Sequence, residues 1–373
     1  MRIDSLRLRD VRNLAQVAID PDPRFNVVHG ANGQGKTNLL EAVGLLSSLK
    51  SFRSFRNRDL IRHGADEGVI EARVDRAGQR RDVRITVRPT RKRVELNDSV
   101  VRQLSDFFGA VNVVVFSPED VSVFRGGPSD RRVFFDRMIF AARPAFASES
   151  SDYETVLKQR NAVLKQDHPD RALIAVYDDQ LVELGATMIE RRMDFLDAIR
   201  APFVEAFGEI FDTRLPVDLG YLTRWTDGPL PEEVLRDSAG IREALRSALE
   251  GAWHRDRARG FTTVGPHRDD IDARIEEQPL STWGSQGQHR AWVLALKITE
   301  IRKLRDRLGH DPILLLDDVS SELDPKRNAK LFDFLSDLDG QVFITTTDVA
   351  YIRLAHPFTR WAVSGGEVQR VDA

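Results

Sequence analysis

The 373-residue sequence predicts an α/β fold in which a mixed sheet with an antiparallel meander is interrupted by a mainly helical second lobe. Three observations carry that reading. A short buried strand near the N-terminus passes through a glycine-rich turn into a helix. The middle of the chain then loses Val, Ile and Thr and takes up long charged stretches with apolar residues at i, i+3 and i+4. Strand and helix alternate again after Gly260. The expected division is an α/β lobe of residues 1–127 plus 261–373 and a helical lobe of residues 128–260.

Taken in order, residues 2–9 alternate polar and apolar as a half-buried strand does, and residues 25–28 read as a short buried strand with a helix to follow. Residues 69–74, 82–87 and 93–96, broken at Gly78 and Pro89, form the meander. Residues 111–116 make another buried strand, ended by Ser117-Pro118. In the helical middle, Leu181, Leu184, Met188, Arg192 and Phe195-Leu196 share one stripe and residues 241–253 another, with a strand-like break at 215–222. A strand at 271–275, a helix at 288–307 and strands at 313–316 and 342–345 follow, the last of these read as closing the set. There is no internal repeat and no heptad run long enough for an extended coiled coil.

Composition excludes several classes. With no cysteine there are no disulfides or thiolate metal sites, and the eight histidines lack metal-ligand spacing, so any metal takes oxygen ligands. No run approaches the roughly 20 apolar residues that span a bilayer, and no leader is visible, so the expected location is the cytoplasm, away from membrane. The net charge of −3 gives no global sign of a polyanion partner, yet residues 51–93 hold thirteen Arg or Lys against six Asp or Glu. That imbalance hints at nucleic acid. A general preference for Arg over Lys offers the plainer explanation.

Gly30-Ala31-Asn32-Gly33-Gln34-Gly35-Lys36-Thr37 matches G-x-x-x-x-G-K-[ST] and lies between the 25–28 strand and the helical run that opens with Asn38. Glycines let backbone N–H groups close around phosphate oxygens, Lys36 reaches the outer phosphates and the Thr37 hydroxyl can ligate Mg²⁺. This is an ATP site by pattern and context. The apolar run 313–316 ends in Asp317-Asp318, two carboxylates expected on a strand beside the phosphate loop. Asp317 is placed to hold Mg²⁺, and Asp318 to orient and deprotonate the attacking water.

Ser285-Gln286-Gly287-Gln288 at a helix start resembles the L-S-G-G-Q signature of ABC ATPases, and Ser320-Ser321-Glu322-Leu323-Asp324 resembles the D-loop of that superfamily. On its own the first segment also fits a plain helix cap. In the order loop, signature, carboxylates and D-loop, the set resembles an ABC-type ATPase head. That resemblance implies an ATP-dependent homodimer in which Ser285, Gly287, Gln288 and Asp324 meet the nucleotide held by the other copy.

Further segments resemble the RecF family: residues 6–14, Phe116-Ser117-Pro118-Glu119-Asp120, residues 128–136, Gly265-Pro266-His267-Arg268-Asp269-Asp270, residues 284–290 and Thr345-Thr346-Thr347-Asp348. Together they cover the chain nearly end to end. The resemblance implies binding of ATP and of duplex, gapped or junction DNA, action with RecO and RecR, and help in loading the recombinase at gaps. It puts Arg12 and Asn13 near the nucleotide, with a surface salt bridge as the alternative for Arg12, and turns Arg53, Arg56, Arg58 and Arg62 toward DNA.

Two departures from the wider ABC pattern stand out. The glutamine expected after the 111–116 strand is absent, with Ser117 or Glu119 near its place, and the switch histidine is replaced by the 345–348 stretch. With Asp rather than Glu at 318, slow hydrolysis is expected, as in a clamp or timer. For His267 and Arg268 the reading is a turn with a buried ion pair, with catalysis as the alternative. A DNA-binding module with structural ATP, or another ABC-type ATPase such as a transporter subunit, remains the rival assignment. A head with long coiled-coil arms lacks room for them.

Overall fold

The computed structural model describes every residue except 55, 77, 104–105, 212–214, 319–323 and 372–373. The chain divides into two compact units, Met1–Val121 with Leu296–Ala373, and Ser122–Ala295.

The first unit begins with β1 (Arg2–Val11), β2 (Leu14–Ile19), β3 (Phe25–His29) and α1 (Lys36–Ser48). Next come β4 (Gly68–Arg76), β5 (Gln79–Val87), β6 (Lys92–Leu96), β7 (Ser99–Val100) and β8 (Val113–Phe116). After α2 (Pro118–Ser122), the second unit holds α3 (Pro128–Ala142), α4 (Phe146–Leu164), α5 (Arg171–Phe211), β9 (Val217–Leu222), α6 (Glu232–Leu235) and α7 (Ser238–Arg259). It continues with β10 (Asp270–Ile275), β11 (Gln278–Pro279), α8 (Leu280–Trp283) and the start of α9 (Gln286–Leu308). The chain then returns to the first unit for β12 (Ile313–Asp317), α10 (Pro325–Ser336), β13 (Val342–Thr346), β14 (Thr359–Ser364) and β15 (Glu367–Val371).

One sheet of the first unit is antiparallel, in the order β2-β1-β4-β5-β6-β7. Its period-2 pattern turns Ile70 and Ala72 inward against Ile85 and Val83, and leaves Arg73 opposite Asp82 and Arg84 opposite Glu71 on the other face. Much of the positive charge of residues 51–93 is therefore answered locally, with Arg62 paired to Asp10 and Arg88 to Glu67.

The second sheet has the order β15-β14-β3-β13-β12-β8 and is parallel except for β15. All five residues of β12 are buried, as a strand covered on both faces requires. One expectation changes here. Residues 342–345 are not the last strand, because the half-polar pattern of β14 pairs on the free side of β3. The Asp317 strand does end beside the phosphate loop, with Asp317 2.8 Å from Thr37, although β13 separates β3 from β12 in the sheet; α1 packs against β13, β12 and β8.

In the second unit β9 and β10 pair antiparallel, with Ile271 opposite Tyr221 and Ala273 opposite Leu219. That register, with two bonds from Arg131 of α3 to Asp270 at 2.7 and 2.9 Å, gathers residues 261–295 with the helices. The core includes Trp292, ringed by Phe124, Phe203 and Phe207 at centroid distances of 5.9, 4.7 and 5.6 Å. Among the described residues no helix is long and apolar enough to cross a membrane.

Candidate nucleotide site

The glycine-rich turn links β3 to α1 in the first unit. Gly30 has φ +155° and a Cβ there would run into the Val363 carbonyl; Gly35 has φ +119° and a Cβ would stand 2.7 Å from Asn13 Oδ1. Glycine is required at both by backbone and by space. The loop ends at the N-terminus of α1, where unpaired N–H groups and the helix dipole favour an anion.

Lys36 is buried and donates from Nζ to the carbonyls of Gly30 at 2.6 Å and Ala31 at 3.0 Å, so its ammonium sits over the loop it is expected to serve. Burial pulls its pKa down, against the opposing charges of Asp318 and Asp317. The Thr37 hydroxyl donates to Asp317 Oδ1 at 2.8 Å, and the same oxygen accepts the Thr345 hydroxyl at 2.8 Å. Burial pushes the Asp317 carboxyl up, the two hydroxyls hold it down, and the charges of Glu119 and Arg53 act in opposite senses. Asp318 follows with φ +50°, an uncommon conformation for a side-chain-bearing residue, and donates its backbone N–H to Thr345 Oγ1 at 2.9 Å.

These donors suit magnesium. Among the described residues no group of three or more His, Cys, Asp or Glu converges on a metal. Thr37 and Asp317 instead present two hard oxygens side by side, the set expected for a cation that takes the rest of its shell from phosphate and water.

Asn13 and Arg12 border the loop from the β1–β2 turn. Asn13 donates to the Gln34 carbonyl at 2.9 Å and accepts from Asn38 at 2.8 Å. Arg12 is engaged by buried Glu41 of α1 in two bonds of 2.7 Å. Asn32 and Gly33 are exposed at the loop's crest.

Residues 2–367 match the RecF/RecN/SMC N-terminal domain model. A "DNA replication and repair protein RecF" from Geobacter sulfurreducens is 41% identical, with 95% of each chain covered. The chain belongs to the RecF family. The RecF of Myxococcus xanthus is 38% identical over 100% of this chain and 98% of its own, and that of an Anaeromyxobacter strain 41% over 99% of both. Among solved structures, recombination mediator RecF with ATPrS, in the RecFOR pathway, superposes with TM-score 0.90 at 27% identity, covering 100% of this chain and 98% of that one. RecF with ATP gives 0.88 at 28% identity, covering 99% and 97%. An Smc head bound to ScpA, at 17% identity and TM-score 0.55, shares the fold of an ABC-type ATPase head.

In this RecF-family chain the first unit brings together Gly30, Gly35, Lys36, Thr37, Asn38, Asn13, Asp317 and Asp318. Ser285, Gly287 and Gln288 lie in the other unit. Ser285 is exposed and caps α9 reciprocally: its N–H donates to Gln288 Oε1 at 2.7 Å and its hydroxyl accepts from Gln288 N at 3.2 Å. Of the D-loop segment, Ser320, Ser321, Glu322 and Leu323 fall outside the described residues. Asp324 caps α10, accepting from the N–H groups of Lys326 and Arg327 at 3.1 Å. Arg53, Arg56, Arg58 and Arg62 are all exposed.

Sequence reasoning passed over Glu41 and read Thr345 only as part of the stretch in the histidine's place. The signals were present, an acid one turn beyond Thr37 and a Thr run ending a buried strand. The ion pairs of the 265–270 turn are those of Asp270 with Arg131 and Arg224, and Arg268 is exposed, 6.0 Å from the Phe261 ring. His267 Nδ1 meets the Tyr153 hydroxyl at 2.7 Å, and Tyr221 donates to Asp269 at 2.6 Å.

Proposed function

We propose that this chain is an ATP-dependent DNA-binding protein of replication and recombinational repair, a weak ATPase that dimerises on ATP and acts as a slow clamp at gapped or junction DNA. The observation that carries the reading is the Thr37–Asp317 pair beside the Lys36 loop, in a chain whose relatives include RecF bound to ATP.

In this mechanism the loop N–H groups and Lys36 hold the triphosphate, with Arg12, Asn13, Asn32 and Asn38 at its margin. Thr37 and Asp317 would hold magnesium, which would supply neutralisation of charge on the outer phosphates. Asp318 orients and deprotonates water, its backbone held by Thr345. Ser285, Gly287, Gln288 and Asp324 of one copy cap the nucleotide of the other, so ATP stabilises the dimer by mass action and hydrolysis releases it. Arg53, Arg56, Arg58 and Arg62 offer phosphate contacts to DNA. RecR and RecO are the proposed partners, recombinase loading at gaps the proposed outcome, and the cytoplasm the proposed location. With Asp at 318 and no switch histidine, turnover stays below about 10 s⁻¹, an ordinary enzyme rate.

Light scattering with ATP, Mg²⁺ and a gapped duplex tests this on wild type, Lys36→Ala and Asp318→Asn. The reading expects ATP-driven dimers in the wild type, none in Lys36→Ala and a trapped dimer on DNA in Asp318→Asn. Monomers that bind DNA equally in all three would reduce ATP to a structural ligand.

A further inference from the structure

One group on the nucleotide-loop helix has no part in the mechanism above. Glu41 lies one turn beyond Thr37 on α1, and its side chain is fully buried. Its two oxygens accept the Arg12 guanidinium at 2.7 Å each, and Oε1 also accepts the Ser51 hydroxyl. Ser51 Oγ in turn accepts the backbone N–H groups of Arg53 at 2.9 Å and Ser54 at 2.8 Å. From that turn the Arg53 guanidinium donates to Asn38 Oδ1 at 3.0 Å, Asn38 donates to Asn13 at 2.8 Å, and Asn13 donates to the Gln34 carbonyl of the loop at 2.9 Å. Arg12 and Asn13 are chain neighbours, so the bonds close a ring.

We propose that Glu41 is a positioning residue that ties the 51–54 turn, where the exposed arginines begin, to the nucleotide loop, so that loop occupancy is felt at that turn. The inference rests on the reading of the loop as an ATP site. Three arguments support it. A buried ion pair contributes little net stability against an apolar pair of similar size, and its best-attested use is to specify one geometry. The Arg12–Glu41–Ser51 half of the ring is buried or part-buried with both Glu41 oxygens and Ser51 Oγ partnered, and a satisfied buried polar network is rigid. The ring has two routes to the turn, a part-buried one through the backbone N–H groups of Arg53 and Ser54 that sets the position of Arg53, and an exposed one through the Arg53 side chain.

Hydrogen–deuterium exchange on the full chain tests the proposal, with wild type and Glu41→Gln, each with and without ATPγS and Mg²⁺, alongside nucleotide affinity from a fluorescent ATP analogue. In the wild type, nucleotide should slow exchange in residues 51–54. Glu41→Gln should bind nucleotide as the wild type does, yet exchange about tenfold faster in 51–54, the change one lost charge-assisted hydrogen bond gives, and no longer respond to nucleotide there. Even acceleration across the whole first unit in Glu41→Gln would make Glu41 merely structural and overturn the proposal. So would a wild-type 51–54 segment that ignores bound nucleotide. If the wild type binds no nucleotide, the ATP reading itself falls, and acceleration confined to 51–54 in nucleotide-free Glu41→Gln still upholds the positioning.

Discussion

The Thr37 hydroxyl, at the first turn of α1, donates to Asp317 Oδ1 at 2.8 Å although the two residues are 280 positions apart. It brings the end of the glycine loop and the end of β12 to one point, and Thr345 on the intervening β13 shares the same oxygen. A nucleotide and its cation compete for partners that the protein already holds in place.

Removing either oxygen should weaken Mg²⁺-dependent nucleotide binding. Thr37→Val and Asp317→Asn are each expected to lose at least about 10–100-fold in affinity for ATP with Mg²⁺, the range that groups one shell outside a metal's own ligands already give. Both should lose far less in EDTA. Titration with a fluorescent ATP analogue, with and without Mg²⁺, reads the difference. Equal losses under the two conditions would mean that these oxygens do not serve the cation.

Thr345 should separate binding from turnover. Its hydroxyl donates to Asp317 and accepts from the Asp318 N–H, in full burial. Thr345→Val leaves that N–H unsatisfied, at about 1–3 kcal/mol. It also frees Asp318 from its left-handed conformation. ATP affinity without Mg²⁺ should hold while steady-state phosphate release falls; an unchanged rate would remove Thr345 from the site.

The second unit has two opposed titrations. Burial pushes Asp269 up to about 6, above its unfolded value near 3.9. Its neutral form is thus favoured by folding, so this group adds stability as pH falls through 6 toward 4. Burial pushes His267 down to about 4, below its unfolded value near 6.5. Its stability contribution is complete above 6.5 and is lost as pH falls from there toward 4. The two slopes oppose each other over pH 4–6. Asp269→Asn should therefore lose stability on acidification more steeply than the wild type, and His267→Gln less steeply. Urea denaturation at pH 7, 6 and 5, followed by tryptophan fluorescence, to which the second unit contributes Trp225, Trp253, Trp283 and Trp292, measures both slopes. Parallel slopes in the three proteins would contradict the assignment.

Arg160 of α4 is fully buried and donates to Asp178 at 2.6 Å and to Asp256 at 2.8 Å, the latter also fully buried. Arg160→Met strands a carboxylate in the core, at about 3–5 kcal/mol. The double change Arg160→Met with Asp256→Leu should recover part of that loss in a chemical melt. A double variant no better than the single would show that the helices need the ionic pair itself.

The sequence by itself determined the features that lie along one stretch of chain: the glycine loop between strand and helix, the carboxylates ending a buried strand, the meander, the helical middle and the order of the ATPase elements. These follow from rules of periodicity, φ preference and charge placement that act between near neighbours in the chain. Only the tertiary structure decided the rest. It put β13 between β3 and β12, gave β3 a further neighbour in β14, and drew residues 261–295 to the helices through the β9–β10 register. It also made Glu41, Thr345 and Asp269 matter. The physical reason is burial: a carboxylate or hydroxyl removed from water must find its partner wherever folding brings one, and for Thr37 that partner lay near the far end of the chain.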